Sequence, residues 1–199
     1  MHEVTTEKFI EQLPKAEIHY HLEGSIQDET AIELAKKNGV DLPGDNPEQL
    51  QEFYDGLDGL NGFLEGAAAV TRVMQTAEDF ERVTAEVGAD AARQNIPSRE
   101  VFVGSAAYIE RGIDWETVVE GIAAGRERAQ KEHGVELRFI PCVLRSVDPE
   151  TGVEVVEHTA AAREDLGVVG VGLAGAESGN PAHKHAPAYE RAADRKSVV

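Results

Sequence analysis

His19 and His21 are the residues of this chain whose type and spacing most directly suggest chemistry. They stand one residue apart in Ala16-Glu17-Ile18-His19-Tyr20-His21-Leu22, a segment that reads as a strand. Alternate side chains of a strand share a face, so both imidazoles can meet one ion, at roughly 2.0–2.1 Å each for zinc. Glu23-Gly24 follows at once. The glycine lets the backbone turn, and the carboxylate sits at the strand end, where it can accept a hydrogen bond from a hydroxyl. The spacing alone is equally that of two histidines with ordinary surface or core roles.

The other candidates are weaker. His158 lies beside Glu157 on a helix face and reads as solvated. His183 and His185 repeat the spacing, but in a turn with Pro181 and Lys184, and read as non-ligands. His133 falls at a helix C-terminus, where a cation suits the dipole. His2 is in the terminal tail. Cys142 follows Pro141 in a strand and reads as a buried, inert thiol.

The elements that position these residues alternate. Helical patterns are expected over 3–13, 28–37, 47–56, 61–75, 78–95, 114–133, 149–165 and 186–193. Asp28 and Asn38-Gly39 cap the second, and Asp114 and Gly134 bound the long sixth. Strand patterns are expected at 16–22, 99–107 (with Val101-Phe102-Val103), 135–144 and 168–174. Strands separated by long helices predict parallel β-α units, which at this scale build closed barrels or doubly wound sheets. In a parallel barrel the first strand delivers its end to the C-terminal mouth, where active sites sit. No linker or solenoid repeat interrupts the chain. The glycines at 170–175 are no dinucleotide fingerprint, because no helix opens at the last of them.

Composition narrows the function. Of 199 residues, 19 are basic and 37 acidic, a net charge of −18. That balance repels phosphate backbones and excludes nucleic-acid binding through a basic face. The acids are spread along the chain, and screening by salt removes their mutual repulsion, so a salt-rich, halophilic setting is expected. No window approaches about 18 uninterrupted apolar residues, so no membrane span is expected. The single cysteine and the absence of a signal pattern point to the cytoplasm.

The run Leu13-Pro14-Lys15-Ala16-Glu17-Ile18-His19-Tyr20-His21-Leu22-Glu23-Gly24-Ser25 resembles the opening motif of the adenosine deaminase family, L-P-K-x-E-[LI]-H-x-H-L-[DE]-G-[SA]. Val168 to Glu177 resembles the family's V-V-G-[FI]-D-L-A-G-[DN]-E, and residues 181–192 its following helix. Glu100-Val101-Phe102 and Arg138-Phe139-Ile140 fit its second and third barrel strands. The resemblance implies the N-terminal half, about four β-α units, of a TIM-type (β/α)8 barrel, truncated, over residues 1–193. It implies His19 and His21 as ligands of one Zn2+, and His21 and Glu23 alongside a bound purine nucleoside, Glu23 near the ribose. It also implies the Gly175 N–H against the purine ring. The implied reaction is hydrolytic deamination of adenosine, with adenine or an adenine nucleotide as alternatives. The H-x-E…P-C-x-x-C signature of cytidine-type deaminases is absent.

Departures from the pattern carry expectations too. The family's H-A-G-E motif, with its third histidine and catalytic glutamate, does not occur, so no catalytic residue is assigned within this chain. Two ligands are one short of the usual catalytic zinc set. Gly172 stands where the family has aspartate, and Ala176 where it has an acid or amide. Residues 194–199 read as a non-native tail whose back-translation matches a sequencing-library adapter, as an accidental truncation would produce. A half-barrel has two unpaired edges, so the isolated chain is expected to aggregate or fold loosely. The alternatives are a non-catalytic half-barrel that dimerises or binds a partner, and another amidohydrolase sharing only the histidine pair.

Overall fold

The structure, a computed structural model, describes residues 5–195. His2 and the last four residues of the expected tail lie outside the described residues. In chain order the elements are α1 (Thr6–Gln12), β1 (Ala16–His21), α2 (Asp28–Asn38), α3 (Pro47–Asp55), α4 (Gly59–Thr71), α5 (Ala77–Arg93), β2 (Ser98–Val103), α6 (Ser105–Glu110), α7 (Trp115–His133), β3 (Glu136–Leu144), α8 (Pro149–Ala161), α9 (Arg163–Leu166), β4 (Gly172–Ala174) and α10 (Ala186–Asp194). Single 3-10 turns cover Glu23–Ser25 and Ala182–His185.

The long helices start and stop for local reasons. At the start of α5 the Asp79 carboxylate accepts the backbone N–H groups of Gln75 and Thr76, and it also receives Lys37 Nζ and Asn38 Nδ2. Burial acts to raise the Asp79 carboxyl, but these four donors outweigh it and hold it below its ordinary value. The Asp114 side chain accepts the Glu116 N–H to open α7, and Gly134 closes it at φ 69°, a left-handed conformation natural to glycine. The cap at Asp28 is not the expected one: the cap position is Gln27, and Asp28 is the first helical residue.

The strands form one parallel sheet in the order β1-β2-β3-β4. Its outer face is dry. Val101, Val103, Leu137 and Phe139 are fully buried there with Phe80 and Val83 of α5 and Val118 and Ile122 of α7. α5 and α7 lie so close that a side chain at Gly88 would run into Ala129. A second cluster joins β3 to α8 and α10 through Val143, Val155, Val156, Ala188 and Ala192. The four expected β-α units of a half-barrel are therefore present. No helix among the described residues is long and apolar enough to cross a membrane.

Three expectations about elements are corrected. The strand expected over 99–107 ends at Val103, because Gly104 turns the chain and Ser105 opens α6. The helix expected over 149–165 is broken at Ala162 into α8 and α9. The strand expected over 168–174 is regular only from Gly172, with Val168 making an isolated bridge to Phe139. Helix α10 runs through Asp194, and Arg195 donates to Glu157 Oε2 at 2.8 Å.

Candidate active site at the mouth of the half-barrel

A β-bulge in β1 sets the site. Glu17 pairs with Arg99 and Tyr20 with Val101, so three steps along β1 oppose two along β2. Arg99 is fully buried and reaches the Val87 carbonyl of α5, on the helix side of the sheet. Glu17 meets it at 2.7 Å, and the Tyr20 ring lies 3.8 Å below its guanidinium. Residues of opposite parity thus share the outer face, which an unbroken strand forbids. The extra residue leaves His19 and His21 together on the other, inner face.

There the two rings are 5.3 Å apart between centroids, inclined at 44°. Phe102 of β2 backs both, 4.9 Å from His19 and 5.2 Å from His21. Burial and the neighbouring His19 charge lower the His21 pKa, which keeps its imidazole neutral and able to donate a lone pair.

Glu23 sits in the turn after β1. Its Oε1 accepts the Gly104 N–H at 2.7 Å and the Tyr108 hydroxyl at 2.7 Å. Burial raises the Glu23 carboxyl above its ordinary value, despite these bonds. Burial and the Glu23 charge push the Tyr108 phenol well above its ordinary range. Gly24 has ordinary backbone angles, so the turn does not draw on glycine's freedom as expected. Gly175 does, at φ 99°, just past β4 at the same end of the sheet. Beside it Arg145 donates its N–H to the Ala174 carbonyl and approaches Glu177 at 3.5 Å.

The adenosine deaminase family profile matches residues 14–198. The adenine deaminase of Streptomyces coelicolor is 38% identical over 181 residues, 91% of this chain and 52% of its own length. The aminodeoxyfutalosine deaminase of Acidothermus cellulolyticus is 35% identical, over 93% of this chain and 51% of its own. Among solved structures, the adenine deaminase of Arthrobacter aurescens superimposes with a TM-score of 0.83 at 34% identity, covering 92% of this chain and 55% of that one. An amidohydrolase from Burkholderia ambifaria with bound Zn also gives 0.83, at 28% identity over 98% and 53%.

This chain belongs to the adenosine deaminase family. It spans about half the length of the curated relatives it matches. The half-barrel is thus the N-terminal part of the family's fold.

The family's metal can be tested against the residues present. Two neighbouring imidazoles, one held neutral, are the correct donors for zinc. Catalytic zinc takes about three protein ligands, and no group of three or more His, Cys, Asp or Glu able to hold a metal exists among the described residues. Among the described residues the two imidazoles are thus one donor short of such a set.

The family's aspartate position, Gly172, is filled from the side. A Cβ there would meet Cys142 Sγ at 2.5 Å and the Phe102 ring at 3.2 Å. Cys142 is buried, and burial pushes its thiol far up, as an inert thiol requires. His158 pairs with Glu154 at 3.5 Å on α8. His183 is exposed, whereas His185 is fully buried with Nε2 3.3 Å from the Arg145 carbonyl. Sequence reasoning missed Phe102 and Tyr108 as site residues. Phe102 carried a signal, as the half-exposed alternate of a buried strand; Tyr108 lay in a helix that went unread.

Proposed function

We propose that this chain is the metal-binding N-terminal half of a hydrolytic deaminase that releases ammonia from a 6-aminopurine, and that it is inactive without the rest of the barrel. The observation that carries the reading is the His19–His21 pair, side by side on the inner face at the strand ends and backed by Phe102. Zinc, when bound, lowers the pKa of a water and polarises its target. His19 and His21 hold the ion. Phe102 and the edge of His21 offer an apolar wall to a flat heterocycle. Gly175, without a side chain, lets a ring approach its N–H.

Free adenine is the favoured substrate, since relatives at 33–38% identity are named adenine deaminases. Adenosine is the second reading. It is supported by the family and by Glu23, whose two protein bonds both fall on Oε1, leaving Oε2 for a ribose hydroxyl.

A graft tests this. Residues 14–193 replace the corresponding half of the Arthrobacter aurescens adenine deaminase, and ammonia release is followed with adenine and with adenosine. Turnover of adenine is expected, and its loss in His19→Ala and His21→Ala. A folded, zinc-loaded graft that turns over neither compound would overturn the reading.

A further inference from the structure

The cleft between α7 and α9 has no part in the deaminase chemistry. It holds about 1100 Å³ and opens on the outer surface, over the start of β3. β3 is paired on both sides, to β2 and to β4, so strands that join the sheet beyond β1 or β4 lie away from it. The cleft comes from the uneven packing of α7. Against α5 the helix fits so closely that a Cβ at Gly121 or Gly125 would run into Ala77 or Thr84. On its other flank it stands off from α8 and α9, and two side chains span the gap. Trp115 Nε1 donates to the His158 carbonyl at 3.3 Å, and Arg126 Nη1 to the Asp165 carbonyl at 3.4 Å.

Floor and rims differ in chemistry. Val119, Ala123, Leu137 and Ala162 make the floor apolar, and the alanines make it hollow. Glu116, Glu120 and Glu127 line the α7 side, and Glu164 and Asp165 the α9 side. None of these five carboxylates has an ion-pair partner among the described residues. Arginines of the same segments are engaged elsewhere: Arg128 with Glu81 and Glu132, Arg138 with Glu136, and Arg126 with backbone carbonyls. Lys131 is the lining cation that remains against them. Repulsion across the cleft therefore stays unrelieved until something cationic enters.

The dimensions select the occupant. From Glu116 to Glu127 the α7 rim runs about 16 Å, three turns of helix. Pockets for small molecules are mostly roughly 300–1,000 Å³ and close around the ligand, whereas this cleft is larger and open along its side. A hollow between helices with a small-residue floor seats a further helix, whose apolar side chains fill it while flanking cations reach the rims. We propose that the cleft docks an amphipathic helix of a partner protein, its apolar seam on Val119, Ala123, Leu137 and Ala162 and its lysines or arginines against the five carboxylates. This goes beyond the deaminase reading and uses none of its residues. A second copy of the chain is a poor occupant, because each copy carries a net charge of −18. A linear polyamine answers the charge but not the breadth of the floor.

Trp115 is the only tryptophan of the chain and lines the cleft, so its fluorescence reports occupancy. The probe is a leucine–lysine peptide of about 18 residues, with leucines at helical i, i+3, i+4, i+7 spacing. It is titrated into the purified chain in about 0.15 M KCl, where the Debye length is about 8 Å. Saturation at one peptide per chain is expected. Ala123→Phe fills the floor and leaves every charge in place; it should weaken binding at least about tenfold. The quadruple variant Glu120→Gln/Glu127→Gln/Glu164→Gln/Asp165→Asn should do the same. Glu29→Gln/Glu48→Gln/Glu52→Gln/Glu110→Gln removes as much charge from exposed positions on α2, α3 and α6, and should leave binding within about twofold. Far-ultraviolet circular dichroism checks that each variant keeps the parent's helices, with Ala123→Leu as the milder filling. An unresponsive Trp115, equal weakening by the α2–α3–α6 variant, equal binding of the peptide with glutamates for lysines, or equal occupancy by spermine would each overturn the proposal. So would a dimer that Ala123→Phe dissolves, which would assign the cleft to a second copy. None of these readouts involves deamination, so failure here leaves the deaminase reading standing.

Discussion

Glu23 presents a carboxyl whose surroundings favour its neutral form. Burial raises its pKa and the bonds from Gly104 and Tyr108 only partly offset this. A raised folded-state pKa gives stability that is fully present below the unfolded value, near 4.5, and lost as pH rises through the folded value. Glu23→Gln keeps an acceptor for both donors and cannot ionise. Its urea midpoint should gain on the parent as pH rises from 4.5 toward neutrality. Parallel pH profiles would show that the carboxyl is not desolvated. Gly172 gives a second residue-scale prediction. Restoring the family's aspartate by Gly172→Asp drives a side chain into Cys142 and Phe102. Overpacking of that kind costs about 1–3 kcal/mol, measured by chemical denaturation. Cys142→Ala in the same chain should recover part of the loss.

At the scale of the element, β1 is held by what lies behind it. Arg99 is fully buried and is bound by Glu17 at 2.7 Å, Asp90 at 3.1 Å and the Val87 carbonyl at 3.0 Å. Arg99→Ala leaves the Glu17 and Asp90 carboxylates without their shared cation. The two carboxylates are 36% and 27% exposed, so water can take up part of the lost pairing and the cost falls below the about 3–5 kcal/mol of stranding a fully buried charge; it should still appear as a lower urea midpoint. If Arg99→Ala unfolds at the parental midpoint, the pair does not fasten the bulge. The bulge also marks the limit of what the sequence disclosed. The alternation of β1 correctly placed His19 and His21 on one face, because side-chain parity is a local property. It did not disclose that Glu17, of the same parity, faces the other way, because a bulge is fixed by pairing with a strand about eighty residues distant. Helix α6 was hidden for a similar reason. Val101-Phe102-Val103-Gly104-Ser105-Ala106-Ala107 is apolar or small with no charge to interrupt it, and the bond from the Gly104 N–H to Glu23 marks where the strand stops. The long helices were legible because their caps and periodicity are written within single segments.

Charge acts on the whole molecule, and two effects of salt compete in it. Screening weakens the surface ion pairs, such as Arg82–Glu86 and Arg128–Glu132, each worth about 0–1 kcal/mol. It also relieves the repulsion among acids that exceed bases by 18. The excess is broad: Glu120, Glu127, Glu164 and Asp165 all line the open groove between α7 and α9, with only Arg126 and Lys131 as basic neighbours there. Repulsion therefore outweighs the pairs, and stability should rise with KCl. Most of the gain should come before about 1 M, where the Debye length has fallen to about 3 Å and further screening adds little. Urea midpoints across a KCl series measure the effect. Neutralising the groove with Glu120→Gln, Glu127→Gln, Glu164→Gln and Asp165→Asn should raise the low-salt midpoint and flatten the series. A quadruple variant with the parent's slope would place the origin of the salt response in preferential exclusion of salt from the surface rather than in charge.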